Sequence, residues 1–251
     1  GASHVLALTD RDDVLSFGCG SDGRLGHGNE KDQHEPKVIE AVRGLRVVSI
    51  AAGEQHSMIR TIEGTVLSFG LAANGRLGHG DEKNQYEPKV IKALRGVRVV
   101  AIAAGGHHSM VLTDEGAVLS FGQGGCGQLG HRDSMHQHVP KVIEALRGVR
   151  VVAIAAGGEH SMVLTDRGNV LSFGYTWSGR LGHGHPLRGT IPEVALLEPT
   201  VIEALRGVRV KAIAAGEQHS MVLSDEGTVL SFGEGRQGQL GHGDCATMYV
   251  P

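Results

Sequence analysis

The tract V-L-S-F-G occurs five times, with its phenylalanine at Phe17, Phe69, Phe121, Phe173 and Phe232, at successive spacings of 52, 52, 52 and 59 residues. I-A-A-G, ending at Gly53, Gly105, Gly157 and Gly216, keeps the same period, as does L-G-H, ending at His27, His79, His131, His183 and His242. Glu198-Pro199-Thr200-Val201-Ile202 matches Glu87-Pro88-Lys89-Val90-Ile91, so the long fourth interval reflects seven extra residues between Gly184 and Pro199. Internal repetition on this scale means that one unit cannot bury its apolar surface alone and must stack on its neighbours.

Within a unit the apolar runs are short, β-branched and punctuated by Gly or acidic residues, which favours strands over helices. In the third unit, strands are expected at 97–104, 109–114 and 117–121, with an outer strand at 141–146 between Pro140 and Gly148. Four short antiparallel strands per unit match the blade of a β-propeller, an all-β fold in which small sheets pack face to face around a channel. Strands crowd near such an axis, so Ala101, Ala103, Ala104 and Gly105 belong to the innermost strand. The Leu, Val, Met and Phe positions then fill the core between blades.

A unit reading I-A-A-G-x-x-H-S-M-V-L-T-D-x-G-x-V-L-S-F-G-x-x-x-x-G-[RQ]-L-G-H resembles the repeat of the regulator-of-chromosome-condensation family, over nearly the whole chain. The resemblance implies a ring of seven blades. Gly1 aligns with Gly53 and Pro251 with Pro36, giving units 1–52, 53–104, 105–156, 157–215 and an incomplete 216–251. One innermost strand is therefore unaccounted for. It is expected to come from the rest of a longer chain or from another subunit, because neither end shows an atypical capping sequence.

The 24 Lys and Arg are scattered along a chain of net charge -3, which disfavours nucleic acid or an acidic membrane as partner. No run approaches the ~20 apolar residues of a membrane span. Cys19, Cys126 and Cys245 form no C-x-x-C pair, and their odd number suggests a reducing, intracellular compartment, cytoplasmic or nuclear.

Ten of the fifteen histidines occupy two repeated positions: the L-G-H sites, and His4, His56, His108, His160 and His219. Equivalent residues in a ring lie a blade apart, whereas zinc needs ~4 ligands within about 2.3 Å. No metal or other cofactor is expected, and each histidine is expected to bond backbone within its own blade. The chain has no phosphate-binding G-x-x-x-x-G-K-[ST], no G-x-S-x-G and no H-E-x-x-H, and a catalytic constellation must be unique where this sequence offers copies. The chain is read as a non-enzyme.

What varies between copies is more informative. After each F-G comes a window that differs every time, at 19–22, 71–74, 123–126, 175–178 and 234–237. A second variable window follows L-G-H, at 29–35, 81–87, 133–139 and the expanded 185–197. Such loops are expected on one face, where propellers place recognition residues. The fourth unit adds the only tryptophan, Trp177, beside Tyr175, and the insertion carrying His185 and Arg188. Tyr175, Trp177, His185 and Arg188, with Asn74 and Arg236 from other windows, are the candidate contacts for a protein partner, Trp, Tyr and Arg being enriched at interface hot spots.

The favoured function is a non-catalytic protein-interaction scaffold within a larger assembly or multidomain protein. The family resemblance permits guanine-nucleotide exchange on a small GTPase as the alternative, but no segment here matches the founding member's inserted wedge and acidic loop. It also brings in an ultraviolet-B photoreceptor, whose tryptophans precede the repeated His. Here those positions are Glu54-Gln55, Gly106-His107, Gly158-Glu159 and Glu217-Gln218, which leaves no indole chromophore. Ubiquitin ligases carry such propellers too, with their catalytic domain elsewhere in the chain.

Overall fold

The computed structural model describes residues 1–184 and 195–251. Its strands, in chain order, form five antiparallel sheets. The first sheet contains β1 (His4–Leu8), β2 (Val14–Gly18) and β3 (Gln33–Val38). The second contains β4 (Val47–Ala52), β5 (His56–Thr61), β6 (Val66–Gly70) and β7 (Gln85–Val90). The third contains β8 (Val99–Ala104), β9 (His108–Thr113), β10 (Val118–Gly122) and β11 (Gln137–Val142). The fourth contains β12 (Val151–Ala156), β13 (His160–Thr165), β14 (Val170–Tyr175) and β15 (Ala195–Val201). The fifth contains β16 (Val210–Ala215), β17 (His219–Ser224) and β18 (Val229–Gly233), with Met248 bridging to Gly233.

Strands in each sheet follow chain order, β4-β5-β6-β7 for example, so each strand pairs antiparallel with the next in sequence. The turn from β9 to β10 shows why the sequence folds this way. Thr113 N–H binds Ala117 O and Gly116 N–H binds Thr113 O, with Gly116 at φ +83°, a conformation that costs glycine little.

The core lies between sheets. Both faces of a sheet are covered, so β9 is buried along its whole length. Alternate side chains leave on opposite faces. Val111 packs towards the second sheet with Met58, Val66 and Phe121, while Met110 packs towards the fourth with Val163 and Phe173. Each phenylalanine of V-L-S-F-G except Phe17 is fully buried, and its ring lies under a glycine from the preceding unit. A Cβ on Gly78 would stand 2.9 Å from Phe121 Cε2.

The outermost strand differs from the expectation of 141–146. The third sheet ends with β11, Gln137–Val142, and Glu144–Leu146 is one turn of 3-10 helix. Pro140 is tolerated inside β11 because an outermost strand leaves one edge unpaired and can lack an N–H there. Beyond it the chain must turn inward to bury Leu146. Leu146 N–H binds Ile143 O and Arg147 N–H binds Glu144 O, closing that turn before Gly148 at φ +81°.

Candidate functional site at the channel mouth

The innermost strands β4, β8, β12 and β16 run side by side and end in Ala-Ala-Gly. A Cβ on Gly105 would lie 2.5 Å from Gly157 O and 2.6 Å from His108 Cε1, so only glycine permits this convergence. Backbone bonds lace the strand ends together: Glu54 N–H to Gly105 O, Gly106 N–H to Gly157 O, and Gly158 N–H to Glu217 O. At this end a cavity of about 900 Å³ opens among all five sheets.

The tips of the fourth and fifth sheets build one wall of the mouth. Tyr175, Trp177, Ser178, Arg180, Glu234 and Arg236 line it beside Glu159 and Glu217, and Glu54 and His107 of the second and third units also border the mouth. Trp177 is 67% exposed, with its ring centroid 6.3 Å from that of Tyr175 at a 54° tilt. Tyr175 is in turn braced by Arg180, whose guanidinium carbon lies 5.1 Å from the phenol centroid, within cation–π range. Arg180 is buried, its Nε donating to Trp177 O at 2.9 Å. Burial pulls its pKa below the ordinary arginine range, while Glu159, Tyr175 and Glu234 oppose that shift. An exposed indole therefore stands on a base of buried cation and half-buried phenol. Across the mouth His107 Nε2 lies 3.6 Å from Glu54 Oε2, and at the wall Arg236 Nε lies 3.7 Å from Glu234 Oε1.

Of the candidate residues, Tyr175, Trp177 and Arg236 meet at the mouth. Asn74 does not line it. It is half-buried at φ +59° in the tip of the second sheet, where its N–H binds Glu82 Oε1. His185 and Arg188 lie outside the described residues. In the first three units the two kinds of variable window lie together, tied by Gly20 N–H to Asp32 Oδ1, Ala72 N–H to Asn84 Oδ1 and Gly124 N–H to His136 Nδ1. The dipeptides before the repeated histidines and the buried Arg180 were not among the candidates. The signal for the dipeptides was available, since they too vary between units, although Glu54-Gln55 and Glu217-Gln218 are alike.

Among the described residues, nine of the ten repeated histidines, all but His219, bond a serine hydroxyl through Nε2 and not backbone. His56 Nε2 lies 2.8 Å from Ser109 Oγ of the next sheet, and Ser109 Oγ donates back to Arg76 O at 2.8 Å. Because that hydroxyl spends its only hydrogen on the carbonyl, the imidazole must donate from Nε2. The L-G-H histidines act within a unit: Ser120 Oγ donates to Leu129 O at 2.7 Å and accepts from His131 Nε2 at 3.1 Å. Among the described residues no group of three or more His, Cys, Asp or Glu could hold a metal ion, and no helix is long and apolar enough to cross a membrane.

Five radially stacked sheets, laced at their inner ends and bearing unlike tips around one channel mouth, define a β-propeller. Residues 1–195 match the RCC1-like domain and residues 210–239 match the regulator of chromosome condensation (RCC1) repeat, so the chain belongs to the RCC1-like family. All of it aligns at 39% identity with 5% of the E3 ubiquitin-protein ligase HERC2 of Homo sapiens. All of it also aligns at 36% identity with 56% of the ultraviolet-B receptor UVR8 of Arabidopsis thaliana. The crystal structure of human WBSCR16 superposes with a TM-score of 0.88 at 30% identity, over the whole chain and 64% of that protein. That of yeast RCC1 (Prp20) bound to Kap60 does so at 0.84 and 23%, over the whole chain and 58% of that one, and shows the fold alone. The chain thus spans less than two thirds of each of these relatives.

Proposed function

We propose that the chain is a non-catalytic protein-interaction domain that captures its partner at the channel mouth. One observation carries this reading: Trp177, 67% exposed, stands at the rim of a cavity of about 900 Å³ on a support of Tyr175 and buried Arg180. A large aromatic held rigid before binding loses little entropy when a partner covers it, which is the condition for a hot spot. Glu54, Glu159, Glu217 and Glu234 surround it, so the mouth favours a partner surface carrying Lys or Arg. Arg236 offers the partner a cation at the same rim.

The test is a photo-crosslinker placed at Ser178, beside the indole, to identify the partner, followed by calorimetry of that partner against the unmodified protein and Trp177→Ala. Binding at least about tenfold weaker in the variant, with an unchanged melting temperature, supports the reading. Equal affinity removes it. Addition of the protein to candidate small GTPases should leave nucleotide release unchanged; acceleration would favour the exchange-factor alternative.

A further inference from the structure

We propose that the groove between the second and third sheets, at the rim opposite the channel mouth, docks an acidic peptide segment through Lys92, Arg95 and Arg98. The groove has a volume of about 460 Å³ and includes Glu63, Arg95 and Arg98 at its border, over Val66, Ile91 and Leu94. Arg98 precedes Val99, the first residue of β8, whereas Gly105 at the mouth follows its last. Six residues at ~3.3 Å each place the two sites about 20 Å apart.

The argument rests on a break in the repeat. In three other units a glutamate opens the 3-10 turn and pairs with the arginine three residues later: Glu40 with Arg43 at 2.9 Å, Glu144 with Arg147 at 2.8 Å, and Glu203 with Arg206. In the second unit that glutamate is Lys92, and Arg95 has no ion pair among the described residues. Arg98 makes none either, although Asp114 binds its carbonyl through the backbone. The adjoining hairpin turn departs in the same direction. Ile62 replaces the aspartate found at Asp10, Asp114, Asp166 and Asp225, and is 41% exposed.

The segments 61–65 and 91–98 of the second seam therefore carry three cations and one carboxylate, Glu63, with Asp114 beyond them where its N–H meets the Arg98 carbonyl. The corresponding segments of the third seam hold Arg147 and Arg150 against Asp114, Glu115 and Glu144. A lysine in place of the pairing glutamate adds nothing to the fold, since exposed pairs of this kind contribute only about 0.3 to 0.5 kcal/mol. What it creates is a local positive field beside an apolar-floored groove. Three cations suit two or three carboxylates on one peptide. They fall short of the 6 to 10 phosphate contacts typical of strong nucleic-acid binding, and the net charge of -3 opposes a longer polyanion.

The experiment is fluorescence anisotropy with a short fluorescein-labelled peptide rich in Asp and Glu, beside a labelled single-stranded RNA. Lys92→Glu is the decisive variant, because it restores the residue that three other units carry at this position and so leaves the fold intact. Expected are peptide binding that weakens with added salt, a loss of at least about tenfold in Lys92→Glu, and no change in Trp177→Ala. The proposal is overturned by absence of peptide binding, by equal binding in Lys92→Glu, by loss in Trp177→Ala, or by RNA binding as tight as the peptide.

Discussion

His108 of the third sheet and Ser161 of the fourth, 53 residues apart in sequence, are joined by a buried contact of 2.8 Å between Nε2 and Oγ. Ser161 Oγ also donates to Gln128 O of the third sheet at 2.8 Å, so one hydroxyl holds two bonds across the seam. The same latch joins His4 to Ser57, His56 to Ser109 and His160 to Ser220. Together with the backbone bonds between the inner strand ends, these latches set sheets that meet mainly through apolar packing in register at the channel end.

Ser161→Ala removes the acceptor of His108 and the donor to Gln128 O, leaving two buried polar groups unpaired. The expected cost is about 1 to 3 kcal/mol, read as a lower denaturation midpoint in urea with an unchanged slope.

Acid should weaken the latches. Burial, reinforced by the charges of His107 and Arg76, pushes the pKa of His108 down to about 3, and burial with Arg180 does the same for His160. His56 is held well below its ordinary value by burial. A folded pKa below the unfolded one means the unfolded chain binds more protons, so stability is full above about pH 6.5 and falls as the pH drops towards 3. At pH 5 each such histidine removes at most about 2 kcal/mol. Melting temperatures taken between neutrality and pH 5 should decline steadily; a flat profile would contradict a neutral buried imidazole.

Two glycines should respond differently to alanine. At Gly105 the new methyl would meet Gly157 O at 2.5 Å, backbone that cannot yield without parting two inner strands. At Gly148 it would meet open space, and only the strain of φ +81° remains. Calorimetric melting should show Gly105→Ala the more damaging, at about 1 to 3 kcal/mol or above, against roughly 1 to 2 kcal/mol for Gly148→Ala.

Trp177→Ala should leave the unfolding midpoint within about 0.5 kcal/mol of the parent protein, because the ring is exposed and its loss opens no cavity. A fall in stability of the size expected for Ser161→Ala would make the indole a structural residue.

Much of this architecture was legible in the one-dimensional chain. V-L-S-F-G and V-V-A-I-A-A read as strands because their residues suit a sheet buried on both faces, and the alanines read as innermost because convergence leaves no room for larger side chains. The outermost strand lies four residues before the 141–146 that the pattern suggests. K-V-I-E-A-L is apolar enough to pass for a strand, and only the need to bury Leu146 under the seam turns it into helix.

Repetition alone determined that this chain builds like sheets with unlike tips, since a local pattern copied at a constant period dictates local structure wherever it occurs. Tertiary structure decided which tips meet. Tyr175, Trp177 and Arg236 converge with Glu159 and Glu217 because their strands end together at the channel, while Asn74, in an equivalent window, points its backbone into its own blade's loop. The partners of His4, His56, His108 and His160 were likewise settled only by stacking, because a bond from one unit to the next depends on the angle and distance between sheets, which no single repeat encodes.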